Sequence, residues 1–231
     1  MPVTTDTDAT DAGPPVAGLL LAAGGGRRLG GRPKALLEHG EDGGRTLMER
    51  ALAALAGAGC APLHLVLGAG AQEVRARLGP TPCTVVHNSR WADGMGSSLR
   101  AGLESLVDTP ATAVVVLLVD QPRVGTPAVA RVLAAHRAGA SLVAAAYGGA
   151  RGHPVLLARR HWAGAARAAT GDRGARAYLA AHADELTLVE CADVGAPDDI
   201  DTPADLTLLR PEAHREAHRE APPGRKPPPT H

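Results

Sequence analysis

A short apolar run that ends in three glycines limits the folds open to this chain. Residues 16–22 (Val-Ala-Gly-Leu-Leu-Leu-Ala) read as a buried strand, and after Ala23 come Gly24, Gly25 and Gly26. Four cations follow, Arg27, Arg28, Arg32 and Lys34, with no acid among them. Glycine lets a backbone turn tightly and brings its N–H groups close to a ligand. Arg and Lys give charge-assisted hydrogen bonds to phosphate oxygens. A glycine-rich loop at the carboxyl end of a first strand is where open α/β sheets bind nucleotides, so the stretch reads as a polyphosphate cradle. Two better-known cradles do not fit. Gly25 and Gly30 have Walker A separation, but Gly31 and Arg32 stand where Lys and Ser or Thr are required. Gly24 and Gly26 begin a dinucleotide fingerprint, but Leu29 takes the place of its third glycine.

The rest of the chain alternates strand and helix patterns. Thr46 with Glu49 three residues on forms a capping box, opening a helix that runs to about Ala58 and stops at Gly59. Strands are predicted over 63–67, 83–87, 113–119, 141–146, 154–157 and 186–190. Helices are predicted over 72–78, 97–107, 127–138, 160–169 and 173–183, with a last one starting at 202–205. Turns are expected at 41–44 and 148–152. The run 113–119 is apolar throughout and rich in valine, as a central strand of a parallel sheet must be. The expected fold is α/β, a doubly wound, mostly parallel sheet with helices on both faces. Domain limits follow from composition: a disordered tail over 1–15, one domain over 16–210, and a disordered, proline-rich tail over 211–231. That last tail repeats Glu-Ala-His-Arg; His214 and His218 read as part of a solvated repeat rather than a metal site.

Composition excludes several classes. Hydrophobic residues make up 45% of the 231, enough for a core, but aromatics are 2% and Phe is absent, so that core must be Ala, Val and Leu. Net charge is zero, leaving no global field to draw nucleic acid or an anionic membrane. Cys60, Cys83 and Cys191 are far apart and odd in number, which argues against a disulfide framework or zinc site and for a reduced, cytoplasmic protein. No apolar run approaches membrane-span length, and residues 1–15 lack the basic and apolar regions of a signal peptide.

Asp120 ends the most apolar strand and precedes Gln121 and Pro122. A carboxylate there lies where such sheets bind ligands, and a triphosphate needs Mg2+ held by one or two carboxylates plus phosphate oxygens. Asp201 offers a second carboxylate, and its spacing suits an N-cap of the last helix equally well; Asp199 is the alternative ligand. Asn88, Ser97 and Ser98 lie before a helix start, where free N–H groups and hydroxyls suit an anion or ribose, though Ser97 also reads as a plain cap. Trp91 and Met95 read as packing. Gly152 and His153, beside Pro154, suggest a tight turn over a ligand, and Arg173 and Arg176 read as helix-surface cations.

The stretch from Leu21 to Lys34 resembles the signature of the MobA-like nucleotidyltransferases, with Arg28, Leu29, Gly30 and Lys34 in its later positions. Leu29 replaces the usual Met or Phe, and one extra residue separates Gly30 from Lys34. Asp120-Gln121-Pro122, the Asn88–Ser98 run, Gly152-His153-Pro154, the run 171–176 and the run 199–206 resemble further family motifs in the same order. Ala22-Ala23-Gly24 is similar to the cytidylyltransferase branch acting on molybdopterin. The resemblance implies a Rossmann-like nucleotidyltransferase fold and transfer of CMP from CTP to the phosphate of molybdenum-loaded molybdopterin. It implies Mg2+ on Asp120 and Asp201, and catalytic Arg28 and Lys34. Leu21, Ala22, Ala23, Gly24, Gly25, Asn88 and Ser98 would bind nucleotide; Gly152 and His153 would bind the acceptor, with Arg173 or Arg176 on its phosphate as an alternative. A molybdenum hydroxylase would be the downstream partner. An NAD(P)H-dependent oxidoreductase, another phosphate acceptor, and a non-catalytic cofactor delivery protein are the competing readings.

Overall fold

The computed structural model describes residues 14–40, 44–79 and 82–210. The expected tails, including His214 and His218, and most of the turn at 41–44 lie outside the described residues. Seven strands form one sheet in the order β3-β2-β1-β4-β6-β5-β7. They are β1 (Val16–Ala22), β2 (Leu63–Leu67), β3 (Thr84–His87), β4 (Ala113–Leu118), β5 (Leu142–Tyr147), β6 (Ala150–Ala158) and β7 (Leu186–Glu190). All neighbours pair in parallel except β6, which runs antiparallel to both β4 and β5.

Alternation along each strand builds two cores. Ala113, Val115 and Leu117 of β4 join Leu20 and Ala22 of β1 in one cluster; Val114 and Val116 join Ala17, Leu19 and Leu21 in the other. This is why β4 carries no polar residue: both of its faces are covered. The first core is closed by α1 (Leu47–Gly57), α2 (Ala71–Arg77) and α4 (Thr126–Arg137), through residues such as Leu55, Val74 and Val132. The second is closed by α3 (Met95–Ser105), α5 (Arg159–Ala168) and α6 (Arg176–Ala181), through Leu103, Trp162 and Leu179. The architecture is the doubly wound α/β layer that strand and helix alternation demands.

Local signals account for the element ends. Thr46 and Glu49 form a reciprocal capping box, and Gly59 (φ 92°) follows α1. Four expectations are corrected. The strand expected at 154–157 begins at Ala150, because Gly148 and Gly149 alone (φ 60° and 80°) make the hairpin turn and leave Arg151 and Gly152 inside the ladder. The helix expected from residue 97 starts at Met95, where Gly94 at φ 96° turns the chain and Ser97 Oγ bonds back to the Gly94 carbonyl. Gly174 (φ 50°) divides the helix expected over 173–183 into a 3-10 turn, Gly171–Arg173, and the shorter α6. The last helix is 3-10 over Pro203–Leu209, and its N-cap is Thr202, in a capping box with Asp205; Asp201 is spared that duty. No helix among the described residues is long and apolar enough to cross a membrane.

Candidate active site

β1 and β4 are adjacent and parallel, and β1 is flanked by β2 on its other side, so the chain winds in opposite directions from this point. The carboxyl ends of such a pair bound the crevice where doubly wound sheets bind ligands. A cavity of about 400 Å3 opens there. Leu21, Ala22, Ala23, Gly24 and Gly25, the end of β1 and its glycine loop, form one wall. Arg28, Lys34, Ser98, Asp120 and Asp201 also face it. The loop is held by geometry only glycine accepts. Gly26 sits at φ 56°, and a Cβ on it would lie 2.1 Å from the Arg32 carbonyl oxygen. Gly25 lies under the Trp91 ring, which would be 3.1 Å from an added Cβ. Trp91 and Met95, expected to pack, both pack and line the cavity.

Asp201 is brought to Asp120 by its backbone rather than by sequence proximity. The Ile200 N–H donates to the Asp120 carbonyl at 2.9 Å, and the Ile200 side chain is fully buried. Gln121 Nε2 donates to Asp199 Oδ1 at 2.8 Å, pinning the same segment. Lys34 Nζ then sits between the two carboxylates, donating to Asp120 Oδ2 at 2.8 Å and Asp201 Oδ1 at 2.6 Å. Burial pulls the Lys34 pKa down, but the Asp120 charge and the hydrogen bonds to Asp120 and Asp201 outweigh it and leave it above the ordinary lysine value. Asp199 is pushed up, first by burial and then by the Asp120 charge, against the hydrogen bond from Gln121. Arg28 is 3.7 Å from Asp201 and largely exposed, a weak pair free to reorient.

A second cavity, of about 300 Å3, adjoins the first and shares Leu21, Met95, Leu118, Asp120 and Asp201 with it. Gly152 and His153 line it, as do Arg151, Arg173 and Arg176, while Leu99, Val155 and Leu157 give it an apolar floor. Arg173 and Arg176, expected on a helix surface, are therefore exposed but turned toward this cavity. Burial, then the charges of Arg176 and Arg151, push His153 down to about 4, so its imidazole is neutral at physiological pH.

Asn88, expected to contact nucleotide, is bonded to its neighbours. It is buried and lines neither cavity; its Nδ2 donates to Ser97 Oγ and Ser98 Oγ, and its Oδ1 accepts from the Arg90 N–H. It shapes the loop that presents Ser98. Sequence reading assigned no role to Arg151 or Asp172, which line the second and first cavities. Arg151 was hidden by the turn expected at 148–152; Asp172 lies in the run 171–176 that resembles a family motif, where only Arg173 and Arg176 drew a role.

Comparison with known proteins places the fold among relatives. The chain is 40% identical over 196 residues to the nicotine blue oxidoreductase of Paenarthrobacter nicotinovorans, covering 82% of this chain and 93% of that protein. It resembles the crystal structure of Rv0371c from Mycobacterium tuberculosis H37Rv at 30% identity (TM-score 0.67; 84% and 96% of the two chains) and that protein's manganese complex at 28% (TM-score 0.66; 84% and 97%). A nucleotidyl transferase from Methanothermobacter shares the fold at 22% identity (TM-score 0.71; 88% and 100%). Residues 18–186 match the MobA-like NTP transferase domain, a span that includes the glycine loop, Lys34 and Asp120 and ends before Asp201, and the chain belongs to that family.

Proposed function

We propose that this protein transfers CMP from CTP to the phosphate of molybdenum-loaded molybdopterin, releasing pyrophosphate. The observation that carries the reading is the junction of two cavities at Asp120 and Asp201. One cavity has the glycine loop and cations a triphosphate needs; the other has three guanidinium groups and an apolar floor, suited to a phosphate on a ring system. The acceptor phosphate oxygen would attack the α-phosphorus as the bond to pyrophosphate breaks. The protein would hold donor and acceptor in line and neutralise charge, which suffices without a covalent nucleophile. Arg28 and Lys34 would meet the phosphates, the main-chain N–H groups of residues 22–25 would cradle them, and Ser98 would contact the nucleotide. Gly152 and His153 would border the acceptor, with Arg151, Arg173 and Arg176 around its phosphate. The choice of CTP rests on Ala22-Ala23-Gly24 alone.

The donor set fits a hard divalent cation. Asp120 and Asp201 present carboxylate oxygens toward one point, two protein ligands for such an ion. That leaves coordination positions for phosphate oxygens, as Mg2+ prefers; the manganese complex of Rv0371c supports a divalent metal. When bound, Mg2+ would neutralise charge on the phosphates. Three free cysteines support a reduced, cytoplasmic setting, and a molybdenum hydroxylase would receive the product.

The test is pyrophosphate release with Mg2+ and each of CTP, GTP, ATP and UTP, with and without molybdenum-loaded molybdopterin. Release is expected with CTP only when the pterin is present. Asp120→Asn should lower kcat/KM by about 10²–10³ while keeping the native circular dichroism spectrum; full activity in that variant would remove the metal site. One alternative has a specific observation behind it. The 40% identical relative is an oxidoreductase, so tight NADPH binding with no pyrophosphate release would move the assignment there. Product binding with neither would indicate a delivery protein.

A further inference from the structure

Lys34 stands where a metal is expected. Its ammonium lies 2.8 Å from Asp120 and 2.6 Å from Asp201, with the lysine side chain 14% exposed and the two carboxylates 23% and 49%. Arg28, the other cation nearby, is 74% exposed and touches only Asp201, at 3.7 Å. Among the described residues, only Lys34 bridges the pair. We propose that the Lys34 ammonium, clasped between Asp120 and Asp201, fills the divalent-cation position of the unliganded protein. Metal then enters as its complex with a nucleoside triphosphate, whose phosphates draw Lys34 away. The inference rests on Asp120 and Asp201 being the cation ligands of the reading above.

A bare divalent ion must break two short charge-assisted hydrogen bonds and leave an ammonium stranded in a part-buried site. Stranding one partner of such a pair is strongly unfavourable. A metal–triphosphate complex changes the exchange, because phosphate oxygens replace the carboxylates as partners of Lys34. Lysine suits this role: a compact charge on a flexible four-carbon stem changes partners by rotating its side chain, with no movement of the backbone. The base of the stem is fixed, since Lys34 opens the 3-10 turn Lys34–Leu36 whose Ala35 is buried. The ammonium also offsets the repulsion between Asp120 and Asp201 before the nucleotide arrives.

The experiment is titration of Mn2+ into nucleotide-free, full-length protein, with free Mn2+ read from its electron paramagnetic resonance signal. Wild type should bind weakly. Lys34→Met should bind Mn2+ about tenfold tighter or more, in line with what an adjacent opposite charge is worth to a carboxylate. Lys34→Met combined with Asp120→Asn should lose that gain. Lys34→Gln, which keeps reach and hydrogen bonding without charge, should gain in the same direction, and it decides the matter should Lys34→Met fail to fold. Folded lysine variants that bind Mn2+ no tighter than wild type would overturn the inference. Loss of Mn2+–triphosphate binding in Asp120→Asn, with no gain in the lysine variants, would leave the metal ligands standing and remove only the role given to Lys34. Unchanged Mn2+–triphosphate binding in Asp120→Asn would remove both.

Discussion

His153 lines the second cavity and stays neutral at physiological pH. Burial, with Arg176 and Arg151 nearby, holds its pKa at about 4, below the ordinary value of 6.5. The unfolded chain therefore takes up a proton between about pH 6.5 and pH 4 that the folded protein refuses, and stability falls with pH across that window. Urea unfolding at pH 7, 5.5 and 4.5 should show a steeper loss for wild type than for His153→Asn; parallel losses would mean that His153 titrates normally. In the second cavity the ring is neutral, and the three arginines carry the positive charge. Single residues were unevenly legible. Asp120 could be found because an acid at the end of an all-apolar strand has few other uses. Asp201 could not be separated from an N-cap by spacing; the structure gives that cap to Thr202. Asn88 looked like a ligand-binding residue because it sits among serines at a helix start, and it is those serines that it binds.

The glycine loop after β1 is the element whose shape the site depends on most. Gly26 takes a left-handed turn against the Arg32 carbonyl, which leaves no room for a Cβ. Gly26→Ala should cost about 1–3 kcal/mol in urea unfolding from backbone strain alone. It should also raise KM for the nucleotide several-fold, since the loop must open to relieve a 2.1 Å contact. An unchanged KM would mean that the loop does not hold the nucleotide. Among the elements, β1, α1 and β4 were readable because each has a strong local signature: an apolar run, a capping box, an unbroken valine–leucine strand. β6 was misread in length because its first residues, Ala150, Arg151 and Gly152, look like turn chemistry and are held as strand by pairing with β5. The division of α6 likewise depends on Gly174 meeting Met95, whose Sδ would lie 3.0 Å from an added Cβ.

The molecule as a whole is held by a sheet covered on both faces, and its stability is not spread evenly. Leu117 is 1% exposed near the carboxyl end of β4, where it pairs with Leu20 of β1; Leu188 is 47% exposed on the edge strand β7. Leu117→Ala should cost about 2–5 kcal/mol, and Leu188→Ala within about 0.5 kcal/mol, both read by urea unfolding. Equal costs would mean that β4 is not the centre of the core. By itself the sequence determined the α/β class, the strand that ends in the glycine loop, and the carboxylate at the end of the central strand. These rest on hydrophobic period and on residue types with narrow conformational use, which are local properties. Only the tertiary structure decided that Asp201 meets Asp120 through the Ile200 backbone, that Lys34 lies between them, and that Arg151, Arg173 and Arg176 share one cavity. Each of those facts joins segments far apart in the chain, and a pairing across such distances leaves no period or spacing to read.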